Sequence, residues 1–131
     1  MKQKVVVSGV GAVSGYGAGA ELLWSGLVSG ETAVRPVSWA GWESAPVQVA
    51  AQAPDKLAGD GWRNLQMARL ALREALAESR PEGIGGLAAA IGWPGPDEEK
   101  GKDPLEILAA ELSLTGPREE SLAACAASTQ A

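Results

Sequence analysis

The fold class is indicated by residues 63–92, RNLQMARLALREALAESRPEGIGGLAAAIG. Within Arg63–Ser79, apolar side chains recur at helical spacing and form one face of an amphipathic helix: Leu65, Ala68, Leu72 and Leu76. Pro81 follows the end of this helix. The apolar run IGGLAAAIG, residues 84–92, then suits a strand that is buried on both faces of a sheet. A helix followed closely by such a strand predicts an α/β fold.

The elements before this stretch follow from similar patterns. Residues 4–10, KVVVSGV, predict a buried strand because they contain a run of β-branched side chains. Residues 21–29 predict a helix that Gly30 ends. Residues 46–53 alternate weakly and are a second strand candidate. On the 63–79 helix, the periodicity assigns the charged side chains to solvent: Arg69, Arg73, Glu74 and Glu78.

A last helix is predicted after residue 102. Asp103 suits the N-cap, Pro104 the first helical position, and Glu106 completes an acidic version of the capping box. Gly116 and Pro117 are expected to end this helix. Its expected buried stripe comprises Leu105, Leu108, Ala109 and Leu112. The alternation of strands and helices along the chain predicts a largely parallel sheet.

Composition excludes several functions. A net charge of −5 argues against binding to nucleic acid and to anionic membranes. No run approaches the roughly 20 apolar residues of a membrane span. The start, MKQKVVV, is interpreted as a strand and not as a signal peptide, because Ser8 and Gly9 break the apolar run. The length fits one domain, and a single cysteine fits a reducing cytoplasm.

The candidate sites are few. Gly9, Gly11 and Gly15 miss the spacing of a dinucleotide-binding loop, so a tight turn is the favoured interpretation. No metal site and no cofactor are expected, because the chain contains no histidine and one cysteine. That cysteine, Cys125, has two interpretations. It is either an inert small core residue or a nucleophile at the start of a helix, where N–H groups favour a thiolate.

Five segments in order resemble the β-ketoacyl synthases of the thiolase-like superfamily. They are VVVSGVGAVSGYG, LLWSGLVSGETAVRPVSW, ARLALREAL, IGGLAAAIG and PLEILAAELSLTGPREESLAACAAS. The resemblance implies that residues 1–131 form the N-terminal part of a layered α/β/α fold. It also implies that the chain is incomplete, truncated just after the active-site cysteine.

The resemblance implies that Cys125 is acylated from the phosphopantetheine thioester of an acyl carrier protein, in fatty acid or polyketide synthesis. The family then decarboxylates a malonyl carrier protein and joins the carbanion to the acyl group, with the help of two histidines that this chain lacks. The 131 residues alone are therefore expected to be inactive. Two departures stand out: Ala123 replaces a frequent threonine, and residues 118–121 are poor strand material. The loop before Asp103 is also short.

Three interpretations of function remain open. They are, in order of preference, a remnant, half of a split enzyme that needs a second chain, and a non-catalytic module that pairs with a synthase homologue or with carrier protein. If carrier protein binds, Arg63, Arg69 and Arg73 are its expected contacts. The competing interpretation is that these arginines form a solvated helix face.

Overall fold

The computed structural model describes residues 4–37, 40–54, 57, 62–79, 87–90 and 103–121, with the backbone alone for 87–90 and 120. The chain divides into two compact units, Met1–Arg80 and Pro81–Ala131. The first unit contains β1 (Val13–Ser14), β2 (Gly17–Ala18), α1 (Ala20–Ser29), β3 (Arg35–Pro36), β4 (Val49–Ala50) and α2 (Arg63–Ser79). The second contains β5 (Leu87–Ala90), α3 (Pro104–Glu111) and β6 (Arg118–Ser121).

The first unit begins with a tight hairpin that leads directly into α1. Val13 pairs with Ala18 and Ser14 with Gly17, in antiparallel register. The predicted α1 helix is confirmed, and Gly30 ends it in the left-handed conformation (φ 71°), where its N–H donates to the Leu27 carbonyl.

The second strand candidate is confirmed in part. Within residues 46–53, β4 pairs antiparallel with β3, so that Arg35 lies opposite Ala50 and Pro36 opposite Val49. Between these strands, the Trp42 indole N–H donates to the Val47 carbonyl at 3.0 Å. The loop that connects β3 to β4 is therefore stabilised by a hydrogen bond of its own, in addition to the pairing of the two strands.

The α2 helix has the predicted bounds, and its outer face is confirmed in part: Arg73 and Glu78 are exposed as predicted, while Glu74 is half-buried. Leu65 is buried at 2% exposure, as expected. Arg69, assigned to solvent, is also buried, at 6% exposure. Glu74 and Glu78 point to the N-terminal turn and accept hydrogen bonds from its main chain. Helical periodicity treats charged side chains as solvated. Here, backbone N–H groups of the N-terminal turn donate to the Glu74 and Glu78 carboxylates, so the turn packs on a charged face of α2.

The predicted strand at residues 4–10 is wrong. These residues form neither a helix nor a strand, and Val5, Val6 and Val7 are 96%, 74% and 85% exposed. A run of β-branched residues becomes a strand only when a neighbouring main chain pairs with it, because strand preference depends on packing and pairing. The segment Val5–Val7 has no such neighbour among the described residues.

The second unit is a β-α-β arrangement. β5 confirms the strand expected within residues 84–91, and it pairs in parallel register with β6, Leu87 opposite Arg118 and Ala90 opposite Ser121. The expectation that residues 118–121 make poor strand material was therefore wrong: a parallel neighbour supplies the pairing that the sequence does not predict. The helix between them lies against β5.

The α3 helix has the predicted cap and a different end. The Asp103 carboxylate accepts from the Leu105 N–H at 2.8 Å. The helix ends at Glu111, with Leu112 as its C-cap, and not at Gly116; Ser113, the next residue, is left-handed (φ 56°). The N–H groups of Leu114 and Ser113 donate to the Ala109 and Ala110 carbonyls, the Schellman arrangement. In the predicted stripe, Leu105, Leu108 and Ala109 are buried and Leu112 is half-buried.

The fold class is confirmed as a mixture of helices and small sheets. The expectation of a largely parallel sheet holds for β5 and β6, while the other two described strand pairs are antiparallel.

Candidate functional site

Cys125, the predicted nucleophile, lies outside the described residues. The nearest described element is β6, which ends at Ser121, four positions earlier in the chain. Because β5 and β6 are parallel, their carboxyl ends share one edge of this small sheet. Ser121, the last described residue, lies at that edge. In open α/β sheets, ligands bind at the carboxyl edge of parallel strands.

Arg118 fixes the connection between α3 and β6. Its guanidinium donates to the carbonyls of Leu114 at 3.1 Å and Gly116 at 3.3 Å. It also forms an ion pair with Glu106 of α3, Nε to Oε1 3.2 Å. Both side chains of the pair are partly exposed, so the pair itself contributes at most about 1 kcal/mol. The carbonyl bonds hold the start of β6 against the end of α3.

Glu74 accepts hydrogen bonds from two main-chain N–H groups of the first unit. Its Oε1 accepts from the Ala20 N–H at 2.8 Å, and its Oε2 accepts from the Ala12 N–H at 3.0 Å. These bonds lower the pKa of the Glu74 carboxyl below its ordinary value of 4.5, with the Ala20 bond as the larger cause and the Ala12 bond as the smaller one. One helix turn later, Glu78 accepts from the Val10 N–H at 2.9 Å.

Glu74 also lines an open cleft of about 230 Å³, together with Ala12, Ala18, Gly19 and Leu70. The carboxylate is already bonded to two main-chain donors, and its pKa is lowered. It is therefore held as an anion and is a poor general acid or base near neutral pH. Among the described residues, the other lining side chains are apolar or absent, so they offer no second reactive group.

The glycine turn is built for close contact with α2 and not for a dinucleotide. A Cβ atom at Gly9 would clash with the Ala75 carbonyl oxygen, and one at Gly11 would clash with that of Ala71. A phosphate in such a loop needs the N–H groups at the start of the next helix. Here the first N–H of α1, at Ala20, donates to Glu74. This geometry agrees with the structural interpretation of the glycines.

Sequence analysis missed the two glutamates, although a signal was present. Ala71, Glu74, Ala75 and Glu78 lie at positions i, i+3, i+4 and i+7 of α2 and share one face. Two small residues allow the glycine turn to approach, and two carboxylates satisfy its N–H groups. A face of this composition opposite a glycine-rich segment predicts close main-chain packing.

The three arginines expected to contact carrier protein do not form one exposed group. Arg69 is buried. The Arg63 guanidinium donates to the carbonyls of Ala53 and Pro54. Arg73 is exposed. Of the three, Arg73 alone combines exposure with no hydrogen bond to another described residue.

The described residues contain no group of three or more histidine, cysteine, aspartate or glutamate residues able to hold a metal ion. None of the helices in this part of the chain is long and apolar enough to cross a membrane.

Comparison with known proteins gives one informative relative. No protein-family model matches the chain. The Streptomyces rimosus protein "Oxytetracycline polyketide putative beta-ketoacyl synthase 1" is 36% identical to the chain over 88 residues. The match covers 59% of the chain and 20% of the length of that protein. The predicted resemblance is thereby confirmed: over part of its length, this chain is similar to a polyketide β-ketoacyl synthase.

Proposed function

We propose that the chain is the N-terminal-like portion of a β-ketoacyl synthase and that Cys125 accepts an acyl group from a carrier protein in polyketide or fatty acid synthesis. The observation that supports this most directly is the 36% identity to a polyketide β-ketoacyl synthase. The parallel pairing of β5 and β6 is compatible with this, since β6 ends at Ser121, four positions before Cys125 in the sequence. A layered thiolase-like fold for residues 1–131 is part of the proposal.

The proposed step is a thioester exchange. The Cys125 thiolate attacks the carbonyl carbon of the acyl thioester on the phosphopantetheine arm. A new carbon–sulfur bond forms to Cys125, the bond to the phosphopantetheine sulfur breaks, and that sulfur leaves as a thiolate. The proton released by Cys125 balances the one that the departing thiolate takes up. Main-chain N–H groups at a helix start would favour the thiolate and stabilise the oxyanion.

The later condensation step is not proposed for these residues alone. Decarboxylation of a malonyl thioester and capture of the carbanion are carried out in the family with the help of histidines, and these 131 residues contain none. A partner chain, or further residues of the same protein, would supply them. The reaction requires a reduced thiol, which fits the cytoplasm.

The test measures acylation of Cys125 directly. The chain is incubated with an acyl carrier protein loaded with a short acyl group, and separately with the acyl N-acetylcysteamine thioester. Intact-mass and peptide mass spectrometry then locate the adduct. We expect one acyl group on the Cys125 peptide, released by neutral hydroxylamine, and no adduct on Cys125→Ala. Labelling spread over other residues, or no labelling from either donor while iodoacetamide alkylates Cys125, would refute the proposal.

A second function, binding without catalysis to a complete synthase or to carrier protein, is favoured by a different observation. On α1, Trp24, Leu27 and Val28 are 64%, 59% and 67% exposed. Apolar side chains exposed together on one helix are typical of interaction surfaces. Under this alternative, no acyl group is transferred, Cys125→Ala binds the partner as the wild type does, and Leu27→Glu weakens binding.

A further inference from the structure

The composition of β5 and β6 does not specify how the two strands align. The residues of β5 are LAAA, and those of β6 are REES. Neither strand alternates apolar with polar residues, which is the pattern that fixes register, and strands without this pattern are prone to slip. The two strands nevertheless pair in one parallel register, Leu87 opposite Arg118 and Ala90 opposite Ser121. A feature other than the strand composition therefore selects this alignment.

The Arg118 side chain supplies such a feature. Arg118 is the first residue of β6, and its guanidinium donates to the carbonyls of Leu114 at 3.1 Å and Gly116 at 3.3 Å, both in the connection before the strand. Its Nε also lies 3.2 Å from Oε1 of Glu106 on α3. The α3 helix in turn lies against β5. One side chain thus joins the start of β6 to the helix that contacts the neighbouring strand.

A slip of β6 is incompatible with these three contacts. A slip by one residue moves each residue of the strand by about 3.3 Å and turns its side chain to the opposite face of the sheet. From that face, the Arg118 guanidinium cannot keep both carbonyl bonds and the ion pair with Glu106. Because the guanidinium donors are held in a rigid planar fork and are charged, these bonds are geometrically selective. The observed register is therefore the one that the Arg118 contacts favour.

We propose that Arg118 is a positioning residue for acyl transfer to Cys125: its contacts set the register of β6 and, through it, the location of the cysteine. This inference rests on the proposed function, because it concerns the same thiol. β6 ends at Ser121, four positions before Cys125, and four residues span at most roughly 14 Å. Over so short a connection, a displaced strand displaces the sulfur, and a misplacement of about 1 Å can slow a reaction about a hundredfold. Arg118 itself takes no part in the chemistry.

Nuclear magnetic resonance on the isotope-labelled chain tests the register without any acyl donor. Cross-strand Overhauser effects between main-chain protons of β5 and β6 report which residues are paired. In Arg118→Gln, we expect those of the native register to weaken and those of a shifted register to appear. Arg118→Lys keeps the charge without the fork, so a smaller change in the same direction is expected. The matched control is Arg35→Gln, because Arg35 also donates to two nearby carbonyls, at the start of β3; its β5–β6 register is expected to stay native.

Acylation by the acyl N-acetylcysteamine thioester then tests the positioning role in the same variants. In Arg118→Gln, the maximal rate of acylation is expected to fall about tenfold or more. The donor concentration that gives half of this rate should change little, because the sulfur is displaced and the donor is unaltered. Alkylation of Cys125 by iodoacetamide is expected to stay close to the wild-type rate, since this reagent needs no positioned partner. Arg35→Gln should be acylated as fast as the wild type.

The outcomes separate this inference from the proposed function. A native register in both Arg118→Gln and Arg118→Lys would overturn the inference. A shifted register with acylation at the wild-type rate would overturn it too. Circular dichroism identifies a variant that fails to fold, and if Arg118→Gln is one, Arg118→Lys decides. Absence of acylation in the wild type refutes the proposed function, and the register measurement then decides the role of Arg118 by itself.

Discussion

Replacing Gly26 by alanine would have two opposing effects on stability: a gain in helix preference and a clash with the Tyr16 ring. Gly26 lies inside α1, where glycine is less favourable than alanine by about 0.8–1.0 kcal/mol. On helix preference alone, Gly26→Ala would stabilise the chain. A Cβ atom at this position, however, would lie 2.6 Å from Cγ of the Tyr16 ring and would clash with the Cδ1 edge. The ring would have to move.

Moving the ring has a definite cost. The Tyr16 hydroxyl donates to the Glu31 carbonyl at 2.5 Å, so a displaced ring loses this bond or strains it. Overpacking of this kind costs about 1–3 kcal/mol. With a central value of about 2 and a helix gain of about 1, Gly26→Ala is expected to lower the free energy of unfolding by about 1 kcal/mol.

A double-mutant cycle makes the reasoning testable. In a Tyr16→Ala background the obstacle is gone, so Gly26→Ala should raise the free energy of unfolding by about 1 kcal/mol, which gives a coupling energy of about 2 kcal/mol. Urea denaturation followed by tryptophan fluorescence measures all four proteins, since the chain has five tryptophans. If Gly26→Ala is stabilising in the wild-type background, the packing of Tyr16 on Gly26 is refuted.

Three further changes are expected to have measurable effects. Ser113→Gly relieves a left-handed serine and should raise the free energy of unfolding by about 1 kcal/mol in urea denaturation. Leu108→Ala empties a site in the core of the second unit and should lower it by about 2–5 kcal/mol. The Glu74 pKa is lowered, so its contribution to stability is complete at neutral pH, declines as the pH falls below about 4.5, and is lost below the folded-state pKa. Glu74→Gln should remove this part of the pH profile, and an unchanged profile would contradict the assignment.

Elements that carry their own local signals could be predicted from the sequence. The α2 bounds follow from spacing alone, and the Asp103 cap of α3 follows from one carboxylate and one proline. The hydrogen bonds of these helices and of the cap join residues close together in the sequence, so a short stretch of sequence is enough to predict them. The end of α3 could not be predicted in this way, because Ser113 adopts a conformation that glycine usually takes.

Features that depend on distant parts of the chain could not be read from local patterns. Residues 4–10 have strand composition, but pairing is not encoded within them. Residues 118–121 have poor strand composition and pair with β5 nevertheless. Glu74 was assigned to solvent because its partners, Ala12 and Ala20, lie more than fifty positions away. Cys125 was selected by position within a resembling segment, and its role stays a prediction.

The carboxylates of α2 have a consequence for folding kinetics. The hydrogen bonds of Glu74 and Glu78 join residues 54, 62 and 68 positions apart. Closing such long loops is entropically costly, so these bonds are expected to form after the transition state, once α2 has docked. Glu74→Gln should then accelerate unfolding while the folding rate stays nearly constant, a φ-value near zero in stopped-flow chevron plots. Glu74 would thus help to set how long the first unit stays folded, and acid, by protonating the Glu74 carboxylate, would shorten that lifetime without slowing its formation.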